Sequence, residues 1–163
     1  MTASTDDGDL VLRHAEPADH PRVLAVLDAW WGGRSMTAML PRLFFVHFRP
    51  TSFVLEKDGG LVGFLCGFVS QTDPTQAYVH FVGVDPQLRG LGAGRRLYDG
   101  FVTAVRERGC TSVRAVTSPV KTGSIAFHTA MGFTIEDPDA SDYDGPGEDR
   151  VRFVLRLDEP TRG

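Results

Sequence analysis

The chain has 163 residues, 42% of them hydrophobic and 23% charged, with 17 Lys and Arg against 21 Asp and Glu and a net charge of −4. That length and apolar content suit one domain with a sizeable core. The charge balance gives no basic footprint for nucleic acid, and no apolar run is long enough to cross a membrane.

Residues 1–9 are polar and acidic, lack the layout of a signal segment, and read as a loose tail before a single domain over 10–163. Leu10-Val11-Leu12-Arg13 predicts a short first strand. Glu16-Pro17-Ala18-Asp19 opens a helix to about residue 30, with Val23, Val26, Leu27 and Trp30 at helical spacing. Gly32-Gly33 stops it. Ser35 is placed to cap a second helix containing Met36, Met39, Leu40 and Leu43, which Pro41 limits or bends. Strands over 51–56 and 61–70 flank Asp58-Gly59-Gly60 and predict a hairpin. A loop over 71–76 precedes a fourth strand, 77–84, where Tyr78, His80, Val82 and Val84 share one face by the period of two.

The run from Val84 to Leu97 then places glycines at 90, 92 and 94 between that strand and an amphipathic helix over 92–108, with Leu97, Phe101, Ala104 and Val105 on its apolar face and Gly109 as its stop. A strand over 111–117, a short helix from Thr122 to Gly132 and strands over 133–136 and 151–157 complete the pattern. Between the last two strands, residues 137–149 hold two prolines, two glycines and six acids and read as a mobile loop. Cys66 and Cys110 lie far apart, lack metal spacing and read as reduced core residues of a cytoplasmic protein.

Strand, Gly-rich turn and helix start together form a phosphate site: glycines admit the ligand to the backbone, N–H groups point outward, and the helix dipole favours negative charge. The loop is not a Walker A loop, because Gly-Lys-Ser/Thr is missing. Nor is it a dinucleotide loop, because its glycines have the wrong spacing and follow the fourth strand, not the first. A bland Gly-rich turn is the competing reading.

Arg89-x-x-Gly92-x-Gly94 resembles the acetyl-CoA loop of the GNAT acetyltransferase superfamily, Gln/Arg-x-x-Gly-x-Gly/Ala. The run Ser124-Ile125-Ala126-Phe127-His128-Thr129-Ala130-Met131-Gly132-Phe133 resembles the family's late motif, Asn-x-x-Ala/Ser-x-x-Phe/Leu-Tyr followed by Gly-Phe. With the elements between them the two motifs cover about residues 77–133. The resemblance implies an α/β fold, the GNAT acyl-CoA N-acyltransferase fold, with a mixed sheet and the order βααβββαβαββ. It implies transfer of an acetyl group from acetyl-CoA, as co-substrate, to a primary amine of a small molecule or peptide by direct attack. No metal is expected, and a homodimer is allowed.

The resemblance also assigns site residues. Gly90, Leu91, Gly92, Ala93, Gly94 and Arg95 would cradle the pyrophosphate. Arg89, Arg95 and Arg96 would supply positive charge, a solvated helix start being the alternative. The backbone of Val82, Gly83 and Val84 would pair with pantetheine. His128 stands where most members have tyrosine, the donor to the departing thiolate, and Lys121 stands where they have asparagine. His128 is thus a catalytic acid or a helix histidine held by a hydrogen bond. His80, on a strand where members often carry a base, is a catalytic base or a half-buried strand histidine. Trp31 and Arg34, beside the Gly32-Gly33 break, and Tyr143 in the acidic loop are acceptor-site candidates. Two other readings stay open: a non-catalytic module that senses acyl-CoA, and an N-acyltransferase for longer acyl groups.

Overall fold

The computed structural model of the chain describes residues 10–88, 90–117, 122–147 and 149–157; the predicted tail, Arg89 and Lys121 lie outside them. The elements are β1 (Leu10–His14), α1 (Asp19–Trp30), β2 (Ser52–Lys57), β3 (Gly60–Val69), β4 (Gln76–Val84), α2 (Ala93–Arg106), β5 (Ser112–Thr117), α3 (Thr122–Ala130), β6 (Thr134–Ala140) and β7 (Arg150–Arg156). The strands form one seven-stranded sheet in the order β1-β2-β3-β4-β5-β7-β6. It is mixed: β1–β2, β2–β3, β5–β7 and β6–β7 are antiparallel, and β4–β5 is parallel.

Two expectations need correction. The helix predicted after Ser35 does not form; 3-10 turns at Thr37–Met39, Arg42–Phe45 and Arg49–Thr51 take its place. Pro41 adopts extended backbone (φ −72°, ψ 152°), which leaves too few residues on either side to nucleate an α-helix. Burial of Phe44 and Phe45 holds the turns instead. The acidic loop is also shorter than predicted. β6 continues to Ala140, pairing Asp137 with Arg152 and Ala140 with Arg150 through two register shifts. As the edge strand it tolerates a proline and repeated acids that argue against a central strand.

By contacts the chain divides into two compact units. The first holds the chain up to Phe68 together with Phe81–Val105. Its core packs Val23 and Leu27 of α1 with Leu40, Phe44 and Phe45 of the turns and Val54, Phe64 and Phe81 of the sheet. The apolar stripe of α2, Leu97, Tyr98, Phe101, Ala104 and Val105, is buried as its spacing predicts. Polar contacts tie β1, α1 and β2 together: both Arg13 Nη atoms meet the Asp19 carboxylate at 2.9 Å, and Arg22 Nη1 lies 2.9 Å from both Asp19 and Glu56. The second unit comprises Val69–His80 and the chain from Arg106 onward. One face of its strands is buried through Ala77, Val79, Val113, Ala115, Val151 and Phe153.

Candidate active site

In the first unit β4 leads through a 3-10 turn, Pro86–Leu88, into the Gly-rich loop. Asp85 organises the approach: its N–H donates to Val62 O at 2.9 Å, and its Oδ1 accepts from Gln87 N at 2.9 Å. Gly90 and Gly92 sit at φ +87° and +83°, a left-handed backbone that other residues rarely adopt, and no heavy atom lies within 4 Å of where their Cβ atoms would be. Conformation, not packing, therefore favours glycine here, and the space around both positions is open. Helix α2 starts at once, its first turn marked by Arg96 N donating to Gly92 O at 3.0 Å. A first turn leaves N–H groups that the helix itself cannot pair, at the positive end of its dipole, and no acid occupies this one. Ala93 and Gly94 are buried, whereas Leu91, Gly92 and Arg95 are exposed. Arg96 reaches back to Leu10 O at 3.5 Å. The arrangement fits a pyrophosphate, held by backbone and approached from solvent.

Val82, Gly83 and Val84 end β4, with Gly83 buried and its neighbours half-buried. A Cβ on Gly83 would fall 2.7 Å from both Phe64 Cε1 and Trp31 Cη2. Trp31 thus lies directly on the Gly83 backbone, with its ring edge-on to Phe81 at 4.9 Å. Its neighbour Arg34 is exposed. Trp31, an acceptor-site candidate, is brought together with the end of β4, expected to pair with pantetheine, and Trp31 is in large part a packing residue.

The second unit carries His80, His128 and Tyr143. His80 is half-buried on β4, two positions beyond Tyr78 on the same face. His128 is 5% exposed. Its Nδ1–H donates to Ser124 O at 2.8 Å, and its ring stacks on Phe153 at 4.9 Å with Phe133 edge-on at 5.2 Å. A carbonyl only accepts, so the neutral ring carries its proton on Nδ1 and leaves Nε2 an acceptor. Burial lowers the pKa of His128 and outweighs the opposing hydrogen bond to Ser124. Donation from Nε2 would require an imidazolium that this apolar setting disfavours; the geometry is that of a helix histidine held by its hydrogen bond.

Tyr143 is 42% exposed, and Arg152 stacks its guanidinium 5.5 Å from the ring centroid. Around them lies a small recess that also includes Tyr78, Arg114 and Glu136. The arginines Arg114 and Arg152 were not singled out from sequence. The signal was present in Arg150-Val151-Arg152, two arginines on one face of a strand.

A mixed sheet in which a strand runs through a loop with two glycines at positive φ straight into a helix start is an architecture of the kind that accepts phosphate groups. The acetyltransferase (GNAT) family profile matches residues 14–133, and the chain belongs to that family. The L-2,4-diaminobutyric acid acetyltransferase of Nocardia farcinica is 34% identical over 84 residues, which are 52% of this chain and 44% of that one. The mycothiol acetyltransferase of the same organism is 29% identical over 138 residues, 78% of this chain and 46% of that one. The chain thus spans about half the length of these curated relatives. Among solved structures, the diaminobutyrate acetyltransferase EctA of Paenibacillus lautus, in complex with L-2,4-diaminobutyric acid and coenzyme A, superposes with a TM-score of 0.74 at 21% identity, covering 94% of this chain and 98% of that one. At that identity the likeness concerns the fold.

Proposed function

We propose that the protein is an acetyl-CoA-dependent N-acetyltransferase whose acceptor is a primary amine on a small molecule. The observation that carries this reading is the open loop at Gly90 and Gly92, both at positive φ, running straight into the start of α2. Family membership gives that phosphate site its ligand, and the relatives named for diaminobutyric acid and mycothiol support a small acceptor over a peptide. The loop N–H groups and the α2 dipole hold the pyrophosphate, and the backbone of Val82–Val84 holds pantetheine. The amine attacks the thioester carbonyl, a C–N bond forms, and the C–S bond breaks with its electron pair going to sulfur. His80 takes the proton that the amine nitrogen sheds, and the thiolate departs without an acid from His128. A cytoplasmic setting and a homodimer belong to the same proposal.

One observation favours a second reading, a module that binds acyl-CoA without turnover: His128, in the family's tyrosine position, is buried and engaged with Ser124. Release of free coenzyme A from acetyl-CoA in the presence of a panel of primary amines separates the two. Amine-dependent release is the expected result. Tight coenzyme A binding with no release for any amine would establish the module.

A further inference from the structure

The recess in the second unit has a chemistry that the transfer step itself does not need. Arg114 Nη1 is hydrogen-bonded to Glu136 Oε1, and Arg152 Nη2 lies 3.6 Å from the same oxygen. Two guanidinium groups therefore share one carboxylate, and the trio keeps one net positive charge. Among the described residues, Arg114 Nε is a buried side-chain donor with no hydrogen-bond partner. Buried polar groups in native proteins are overwhelmingly paired, so an orphan donor beside a recess signals a partner that arrives from outside the chain. The edge of guanidinium that includes Nε is one of the two that take a carboxylate in bidentate fashion, and the Glu136 contact at Nη1 fixes the plane of the group. Tyr78 and Tyr143, which also line the recess, bring phenol hydroxyls to a site otherwise walled by Ala115, Val116 and Phe153.

We infer that this recess is a carboxylate subsite for the acceptor: Arg114, oriented by Glu136 and backed by Arg152, selects amines that also carry a carboxylate. The inference rests on the proposed acetyltransferase reading and gives it a substrate class. The register of β4 refines that class. Tyr78 pairs with Arg114 across the β4–β5 ladder, and His80 follows two positions along the same face. Two strand residues span about 6.6 Å. That spacing along one face favours an amine set apart from its carboxylate, as in an ω-amino acid or a diamino acid.

The test uses the full chain saturated with coenzyme A and three matched pairs of probes: 4-aminobutyrate and propylamine, 2,4-diaminobutyrate and 1,3-diaminopropane, lysine and 1,5-diaminopentane. Each pair differs only by the carboxylate. Calorimetric binding is expected to favour the carboxylated member at least tenfold in at least one pair, and Arg114→Met to bring that ratio to about one. Arg114→Lys keeps charge without the fork and is expected to recover only part of the preference. Equal binding within all three pairs of the wild-type protein overturns the inference, with no variant needed. So does a preference that survives in folded Arg114→Met. Acetyl transfer is measured alongside: carboxylate-selective binding without transfer to any probe upholds the subsite and overturns the transferase reading. Transfer without carboxylate preference does the reverse.

Discussion

His128 shows how one side chain can be legible as a position and not as a role. The late motif places it where the family has tyrosine, but the direction of its proton is set by Ser124 O, a main-chain atom that no side-chain pattern encodes. Buried, stacked on Phe153 and with its pKa lowered by burial, it has the contacts of a packing residue. We predict that His128→Phe leaves kcat within about threefold of wild type. A fall of a hundredfold, restored by His128→Tyr, would return the residue to acid catalysis. Its lowered pKa has a thermodynamic consequence: the unfolded chain binds this proton more readily, so the stability His128 contributes is present above its ordinary value of 6.5 and declines as pH falls below it. Urea midpoints at pH 7.5 and pH 5.5 should therefore differ less in His128→Phe than in wild type. For His80, catalysis as a base predicts that His80→Ala lowers turnover and that strong alkali partly restores it, because free amine then forms unaided. A variant with the parental turnover would leave His80 a strand residue.

At the scale of elements, apolar patterning and turn signals located the strands and α-helices of the described residues, whether one face is buried, as in β4 and α2, or both, as in β2 and β3. The hairpin between β2 and β3 was readable from Asp58-Gly59, which take φ +53° and +81° as a two-residue primed turn requires. What misled was context. The segment after Ser35 has helical spacing, yet Pro41 and the burial of neighbouring phenylalanines override it. The far half of β6 looks like loop because edge strands relax the usual rules. The contact between α1 and β4 was invisible, since nothing in sequence joins Trp31 to Gly83. A Cβ at 83 would clash with two rigid rings. Gly83→Ala should therefore cost about 1–3 kcal/mol in urea unfolding, and Trp31→Leu should relieve part of that cost in the double variant. Additive effects would show that the two residues do not touch. The ionic cluster joining β1, α1 and β2 was likewise unread from sequence, since its members lie far apart in the chain. Asp19 is 3% exposed; burial raises its pKa, but the Arg13 and Glu16 hydrogen bonds more than reverse this, and Arg13 likewise lowers Glu56. Asp19→Asn should cost about 2–4 kcal/mol, since it leaves the arginines short of a buried partner.

For the whole molecule, those depressed carboxylates set the acid limit. Both groups bind protons more weakly folded than unfolded, so their stabilisation is complete above the ordinary carboxylate range and is lost as pH falls from that range through their depressed values. Asp19→Asn should flatten that acid limb, and an unchanged limb would exclude the cluster as its source. The family was legible from residues 77–133, and so was the backbone of the Gly-rich loop, because a glycine at positive φ before a helix has few substitutes. The acceptor side was not, because Arg114, Glu136 and Arg152 come from three separate strands and meet only through the ladders that join them. Function at this scale turns on whether the Gly90–Gly92 loop binds coenzyme A. The direct measurement is a calorimetric titration of coenzyme A into the wild-type protein and into Gly92→Glu, with circular dichroism confirming that the variant is folded. Gly92→Glu sets a negative side chain on the open face of the loop, where the pyrophosphate is expected, and should weaken binding by at least about 2 kcal/mol, roughly thirtyfold. A folded Gly92→Glu protein that binds coenzyme A as tightly as wild type would contradict the assignment of the loop and, with it, the proposed function.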